Sequence, residues 1–294
     1  MDPFAGELAS RRDPRVRQAL ELRRGAAERR AHGAYLAEGV RIVQEALAAG
    51  AVLSAFVAPR LRQDPRGAAV LGALATRRVP TTAVTDAALD ALADARTPQG
   101  VVAVLRLPAP LPEPPRPSGE GLLAVAWHVQ DPGNVGALVR VTEAAGAAGL
   151  VVAGGGADPW HPRAVRAAAG SIVRLPPFVC DTTRDLPATL RAAGWRLAAA
   201  APRRGLAASA FDWSGSWAIL LGGEGGGLPT EIEAVADRFV HVPMAGGVES
   251  LSVAVAAALL LFTTRRESPR RPAPRRPAPP RRRPPRRPPG RAAG

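Results

Sequence analysis

Two loops gather the groups of this chain that could hold and act on a ligand. Residues 220–227 (LLGGEGGG) form a glycine-rich stretch with one acidic residue, Glu224, and they follow an apolar strand expected at 217–221. A short charged helix comes next, then a strand at 239–242 and a second glycine-bearing loop at 243–247. A small-residue helix, opened by Glu249, Ser250, Leu251 and Ser252, completes the pattern. Glycine has no Cβ, so loops of this kind let backbone N–H and C=O groups approach a flat ligand closely. Upstream, Asn134 stands at the start of a helix expected at 135–148, where an asparagine is a favoured N-cap. The four histidines (His32, His128, His161, His241) are scattered, so no metal site is expected. Cys180, the one cysteine, excludes an intrachain disulfide and reads as a small apolar filler. The loop GGEGGGLP has no Walker lysine and does not fit the strand–GxGxxG–helix context, which argues against a nucleotide-binding Rossmann domain.

The elements that must position these residues alternate. Apolar segments at 122–129, 149–154, 172–179 and 196–202 read as strands, with helices at 135–148, 163–170 and 186–193 between them. Strands that are apolar throughout, without period-2 alternation, imply a parallel sheet covered on both faces. Six prolines at 107–119 mark a linker to an upstream βα region. There, residues 35–50 place Leu36, Val40, Val43 and Leu47 at helical spacing. A strand-like segment, a helix at 68–76 and two more strand-like segments follow. The first 25 residues carry six arginines and read as a basic helix that either touches RNA or is merely solvated. The chain has 294 residues and a net charge of +14; the 12 arginines and single glutamate from Arg265 onward account for +11 of it. An Arg/Pro segment of that kind can form neither helix nor sheet, so it is expected to be a disordered cation. It either binds polyanions or only solubilises. No signal segment or apolar run of membrane-spanning length is present, and the expected location is the cytoplasm.

Residues 129–149 (VQDPGNVGALVRVTEAAGAAG) resemble the first motif of the SpoU (TrmH-type) RNA 2′-O-ribose methyltransferases of the SPOUT superfamily, an Asn-x-Gly followed by an arginine, here Asn134, Gly136 and Arg140. Residues 162–177 are similar to the family's middle segment, and residues 220–262 to its closing loops. The resemblance implies an α/β chain with a knotted SPOUT parallel-sheet domain at 120–266, preceded by an L30e-like RNA-binding domain at 1–107, a linker at 108–119 and a tail at 267–294. It implies S-adenosyl-L-methionine (SAM) as cofactor, held mostly by backbone at Gly222, Val242 and Leu251. Asn134, Arg140, Glu224 and Ser250 are implied as catalytic. Arg140 would act on the ribose 2′-OH, and Glu224 would orient Arg140 or Asn134. The family usually has Ser-Leu-Asn in its last motif where this chain has Ser250-Leu251-Ser252. The implied enzyme is a homodimer acting on RNA, ribosomal rather than transfer RNA, with neither DNA nor membrane as partner. The alternative is a non-catalytic RNA-binding protein that keeps the fold.

Overall fold

Runs of Ala, Val and Leu with few aromatics build two sheets. The computed structural model describes residues 3–180 and 184–263. Helices α1 (Pro14–Glu21) and α2 (Ala26–His32) lead into β1 (Ala34–Glu38), α3 (Val40–Ala48), β2 (Val52–Val57), α4 (Gly67–Thr76), β3 (Thr81–Ala83), α5 (Asp86–Leu92) and β4 (Val101–Arg106). The four strands lie in the order β1-β4-β2-β3, with β4 antiparallel to β1 and β2, and β2 parallel to β3. Local chemistry sets several boundaries. The Asp13 carboxylate caps α1, with proline at the first position, and the Thr85 hydroxyl caps α5. Helical spacing at 35–50 proves half right: Gly39, at φ 102°, divides a buried strand from helix α3. The basic first 25 residues hold the helix α1, and Arg29 is buried on α2 just beyond them.

The second sheet is entirely parallel. Its elements are β5 (Gly121–Trp127), α6 (Pro132–Ala144), β6 (Leu150–Ala153), α7 (Pro162–Ala168), α8 (Ser171–Arg174), β7 (Phe178–Cys180), α9 (Leu186–Ala192), β8 (Arg196–Ala200), β9 (Leu206–Ala207), β10 (Ser216–Gly222), α10 (Thr230–Ala234), β11 (Arg238–His241) and α11 (Val253–Thr263). Strand order is β7-β6-β5-β10-β8-β11-β9. The strand expected at 172–179 is mostly replaced by α8. Ala169 and Gly170 turn through left-handed backbone (φ 49° and 97°) and restart a helix, and only residues 178–180 pair with β6. Both faces of β10 are covered. Trp217, Ile219 and Leu221 join one apolar cluster, while Ala218 and Leu220 join the other. Full burial of a leucine such as Leu220 contributes about 2 kcal/mol.

One core runs without a break from Tyr35 and Val40 of the first sheet region to Val129, Leu138 and Ile172 of the second. Polar contacts reinforce this seam. The buried Arg29 pairs with Asp158 at 2.6 Å, Arg166 with Asp94 at 2.9 Å, and Arg174 with Glu45 at 2.9 Å. Linker residue Pro115 accepts a hydrogen bond from the Trp195 indole at 2.7 Å. Among the described residues no helix is long and apolar enough to cross a membrane, and none group as metal ligands. The reading of residues 267–294 as a disordered cation lies outside the described residues.

Candidate active site

The strand order reverses beside β5. From β5 the chain steps outward to β6 and β7, then crosses to β8 and returns through β10 into the gap between. In open parallel sheets such a switch point opens a crevice at the carboxyl ends of the strands, where ligands bind. Gly222 ends β10 directly opposite Trp127, the last residue of β5. The loops leaving these two strands then touch. A Cβ on Gly223 would run into the carbonyl oxygen of His128, and one on Gly222 into the backbone of Gly227 and Leu228. These two glycines are therefore required by close backbone approach. His128 itself is in left-handed backbone, φ 53°, an uncommon state for a non-glycine residue that tends to occur at functional sites.

Asp131, Asn134 and Glu224 lock the two loops together. The Asp131 carboxylate accepts from the Asn134 backbone N–H at 3.0 Å and so caps α6, with Pro132 at its first position. Its other oxygen pairs with Arg163 at 3.1 Å. The Asn134 side-chain amide donates to Glu224 Oε1 at 2.5 Å, and the Gln130 N–H donates to Glu224 Oε2 at 3.1 Å. Partial burial pushes the Glu224 carboxyl up, but hydrogen bonds from the Asn134 amide and from neighbouring backbone outweigh it and hold the group below the usual carboxylate range. Glu224 is therefore an anion at neutral pH. Gly136 serves packing, because a Cβ there would strike the Ala164 carbonyl of α7.

The remaining residues singled out from sequence make no hydrogen bond to this cluster among the described residues. Arg140 is exposed on α6, six residues beyond Asn134, which is about 9 Å along the helix and about 120° round it. Among the described residues no hydrogen bond joins it to Glu224. Ser250 is exposed in the loop before α11 and likewise makes no hydrogen bond to Asn134 or Glu224. Val242 and Leu251 are half-buried, Val242 packing against the main core. Ser252, where the family usually has asparagine, accepts from the Val255 N–H at 3.4 Å and caps α11. Sequence reasoning missed Asp131, Gln130 and Arg163. The Asp131-Pro132 pair was a legible helix-start signal, whereas the Gln130 contribution is a backbone N–H and leaves no trace in residue type.

Residues 121–262 match the SpoU rRNA methylase family model, and residues 13–103 match an MRM3-like substrate-binding domain. A Bacillus subtilis 23S rRNA guanosine-2′-O-methyltransferase is 31% identical, over 81% of this chain and 91% of its own length. The chain belongs to the SpoU rRNA methylase family. A Streptomyces viridochromogenes 23S rRNA uridine-2′-O-methyltransferase is also 31% identical, over 90% of this chain and 93% of its own. The solved SpoU methyltransferase AviRb from that organism, in complex with SAM (AdoMet), superposes with a TM-score of 0.75 at 28% identity, covering 85% of this chain and 97% of that one. A solved RNA 2′-O ribose methyltransferase gives 0.77 at 30% identity, covering 87% and 96%.

Proposed function

We propose that this SpoU-family enzyme transfers the methyl group of SAM to a ribose 2′-OH of ribosomal RNA. The observation that carries this reading is the interlocked pair of loops at the switch point, with Asn134 and Glu224 joined across them in a chain of this family. SAM supplies an electrophilic methyl on a positively charged sulfur. The donors and acceptors available suit such a cofactor. Glu224 is held anionic, and the loop 243–252 is largely exposed, with Gly246, Gly247 and Leu251 backbone N–H groups that meet no acceptor among the described residues. Gly222, Val242 and Leu251 are the positions assigned to hold the cofactor, through backbone.

Arg140 is assigned to the 2′-OH. A guanidinium offers N–H donors and no acceptor, so its role is to donate hydrogen bonds to the oxygen as negative charge develops, rather than to take the proton. Glu224 fixes the Asn134 amide, and Ser250 is assigned to the same polar cluster. Arg140 is exposed and makes no hydrogen bond to Glu224 of its own chain among the described residues. The outward face of α11 carries Val255, Leu259 and Phe262, each more than two-fifths exposed and spaced along one helical stripe. Both features support a homodimer in which one copy covers the other's α11 and delivers Arg140 across the interface. The return of α11 onto α6, with β10 inserted between β5 and β8, supports a C-terminal segment threaded as a trefoil knot. We further assign 1–107 as the RNA-binding domain, 108–119 as its linker, 120–266 as the methyltransferase domain and 267–294 as a separate tail, with a cytoplasmic location.

Calorimetry with SAM and light scattering test the reading together. The expected result is saturable heat and twice the chain mass without RNA. Absence of heat at millimolar SAM removes the cofactor assignment, and a single-chain mass removes the shared site.

A further inference from the structure

The opposite end of the parallel strands holds a cavity of about 500 Å³ that the methyl-transfer chemistry does not use. It is lined by Arg191, Arg196, Trp217, Asp237 and Arg238, at the amino ends of β8, β10 and β11. Gly222 and the loops of the candidate active site lie at the carboxyl ends of the same strands. β10 spans seven residues, so the two places are separated by about 20 Å.

Three guanidinium groups face one carboxylate here, and that carboxylate is already engaged. Asp237 accepts from Arg191 at 2.8 Å and from the Leu197 N–H at 2.7 Å. Partial burial pushes its carboxyl up, but these partners outweigh burial and hold it below the ordinary range. Arg191 also donates to the Val235 carbonyl from the same Nη2 nitrogen, so it is tied to Asp237 and to the backbone beside it.

Arg196 and Arg238 are different. Both are exposed, and neither pairs with a carboxylate among the described residues. Arg196 lies 4.0 Å over the ring of Trp217, which is itself 4% exposed, and donates to the Ser214 carbonyl. Gly215, at φ 83°, leaves the space that the Arg196 guanidinium fills; a Cβ there would clash with it. Arg196 is thus held flat and in one place before any ligand arrives, which lowers the ordering cost of binding. Arg238 donates to the Asp237 carbonyl at 2.8 Å and keeps its other donors. A fixed planar guanidinium next to a second unpaired one matches the bidentate recognition of phosphate oxygens.

We propose that this cavity is a phosphate-binding subsite that takes a phosphodiester of the RNA substrate away from the methylated ribose. The proposal rests on the RNA-methyltransferase reading above. It implies that the RNA contacts both ends of the strands, so that its footprint on the protein is longer than the active site itself.

The test compares the full chain with the double variant Arg196→Ala/Arg238→Ala and with Arg196→Lys. Binding of ribosomal RNA is measured against salt, binding of inorganic pyrophosphate and of SAM by calorimetry, and folding by a thermal melt. The double variant should flatten the slope of log affinity against log salt by roughly 1.4–1.8, two contacts at ~0.7–0.9 each, with SAM affinity and melt unchanged. Arg196→Lys should keep a slope close to that of wild type, because it keeps the charge, while RNA affinity falls because the planar fork is lost. An unchanged slope in a folded double variant overturns the proposal. If wild-type protein binds no RNA but binds pyrophosphate in an Arg196-dependent way, the RNA reading falls and the subsite stands as one for free polyphosphate. If it binds neither, both fall.

Discussion

The two loops that frame the candidate active site are built differently. The one after β10 is locked before any ligand arrives. Gly223 abuts the His128 carbonyl, Glu224 is bonded to Asn134 and to Gln130, and the stretch folds back on itself through Gly223 and Gly227. The one between β11 and α11 has a single long backbone bond, Val248 N–H to the Ala245 carbonyl at 3.5 Å, and nearly every residue in it is exposed. The contrast assigns different tasks. The first loop supplies fixed electrostatics at the switch point, and the second, with α11, is shaped for completion from outside by cofactor and by a second copy of the chain.

If the division is right, removing Arg140 leaves both loops intact and affects only the reaction. Arg140→Ala should lower turnover by ~10²–10⁴ while SAM affinity stays within about twofold, since the side chain acts only as charge develops on the oxygen. Near wild-type methylation by this variant would end its assignment. Leu259→Asp attacks the half completed from outside. Burying a carboxylate in the α11 stripe should turn a dimer into a monomer by light scattering and reduce turnover with it. A dimeric, active Leu259→Asp protein would place the interface elsewhere.

Gly223→Ala strikes the locked half. With no room for a Cβ against the His128 carbonyl, the two loops must part, at a cost of about 1–3 kcal/mol in thermal or denaturant unfolding and with weakened SAM binding. The corresponding change at Gly246, where a Cβ meets nothing, should leave stability unchanged. The smallest effect concerns pH. Glu224 has a depressed pKa in the folded chain, so the stability it contributes is present above the unfolded carboxyl value and is lost as pH falls through the lower folded value. Wild type should therefore exceed Glu224→Gln in stability at neutral pH, and the gap should close below about pH 4. A gap independent of pH would mean that Glu224 acts through shape rather than charge.

Much of this organisation was legible in the chain. The continuous apolar strands announced a covered parallel sheet, and the glycine-rich loops fell at strand ends because only glycine tolerates the backbone contacts seen at Gly222 and Gly223. What escaped was local or non-local geometry. The strand-to-helix change at Gly39 depends on one positive φ, and the short helix α8 depends on a left-handed Ala169 that residue type does not announce. The seam joining the two sheets through Arg29 and Asp158 links residues far apart in sequence. That Glu224 bonds Asn134 and not Arg140 depends on how the β10 loop meets α6, which motif spacing leaves silent.

The most direct test is transfer of labelled methyl from SAM to ribosomal RNA taken from cells that lack this gene, followed by alkaline hydrolysis. Methylation of a 2′-oxygen removes the internal nucleophile, so the account predicts label in an alkali-resistant dinucleotide, at a single position, and dependence on Arg140. Label in alkali-sensitive mononucleotides, which places the methyl on a base, or no transfer by a SAM-binding dimer, would contradict it.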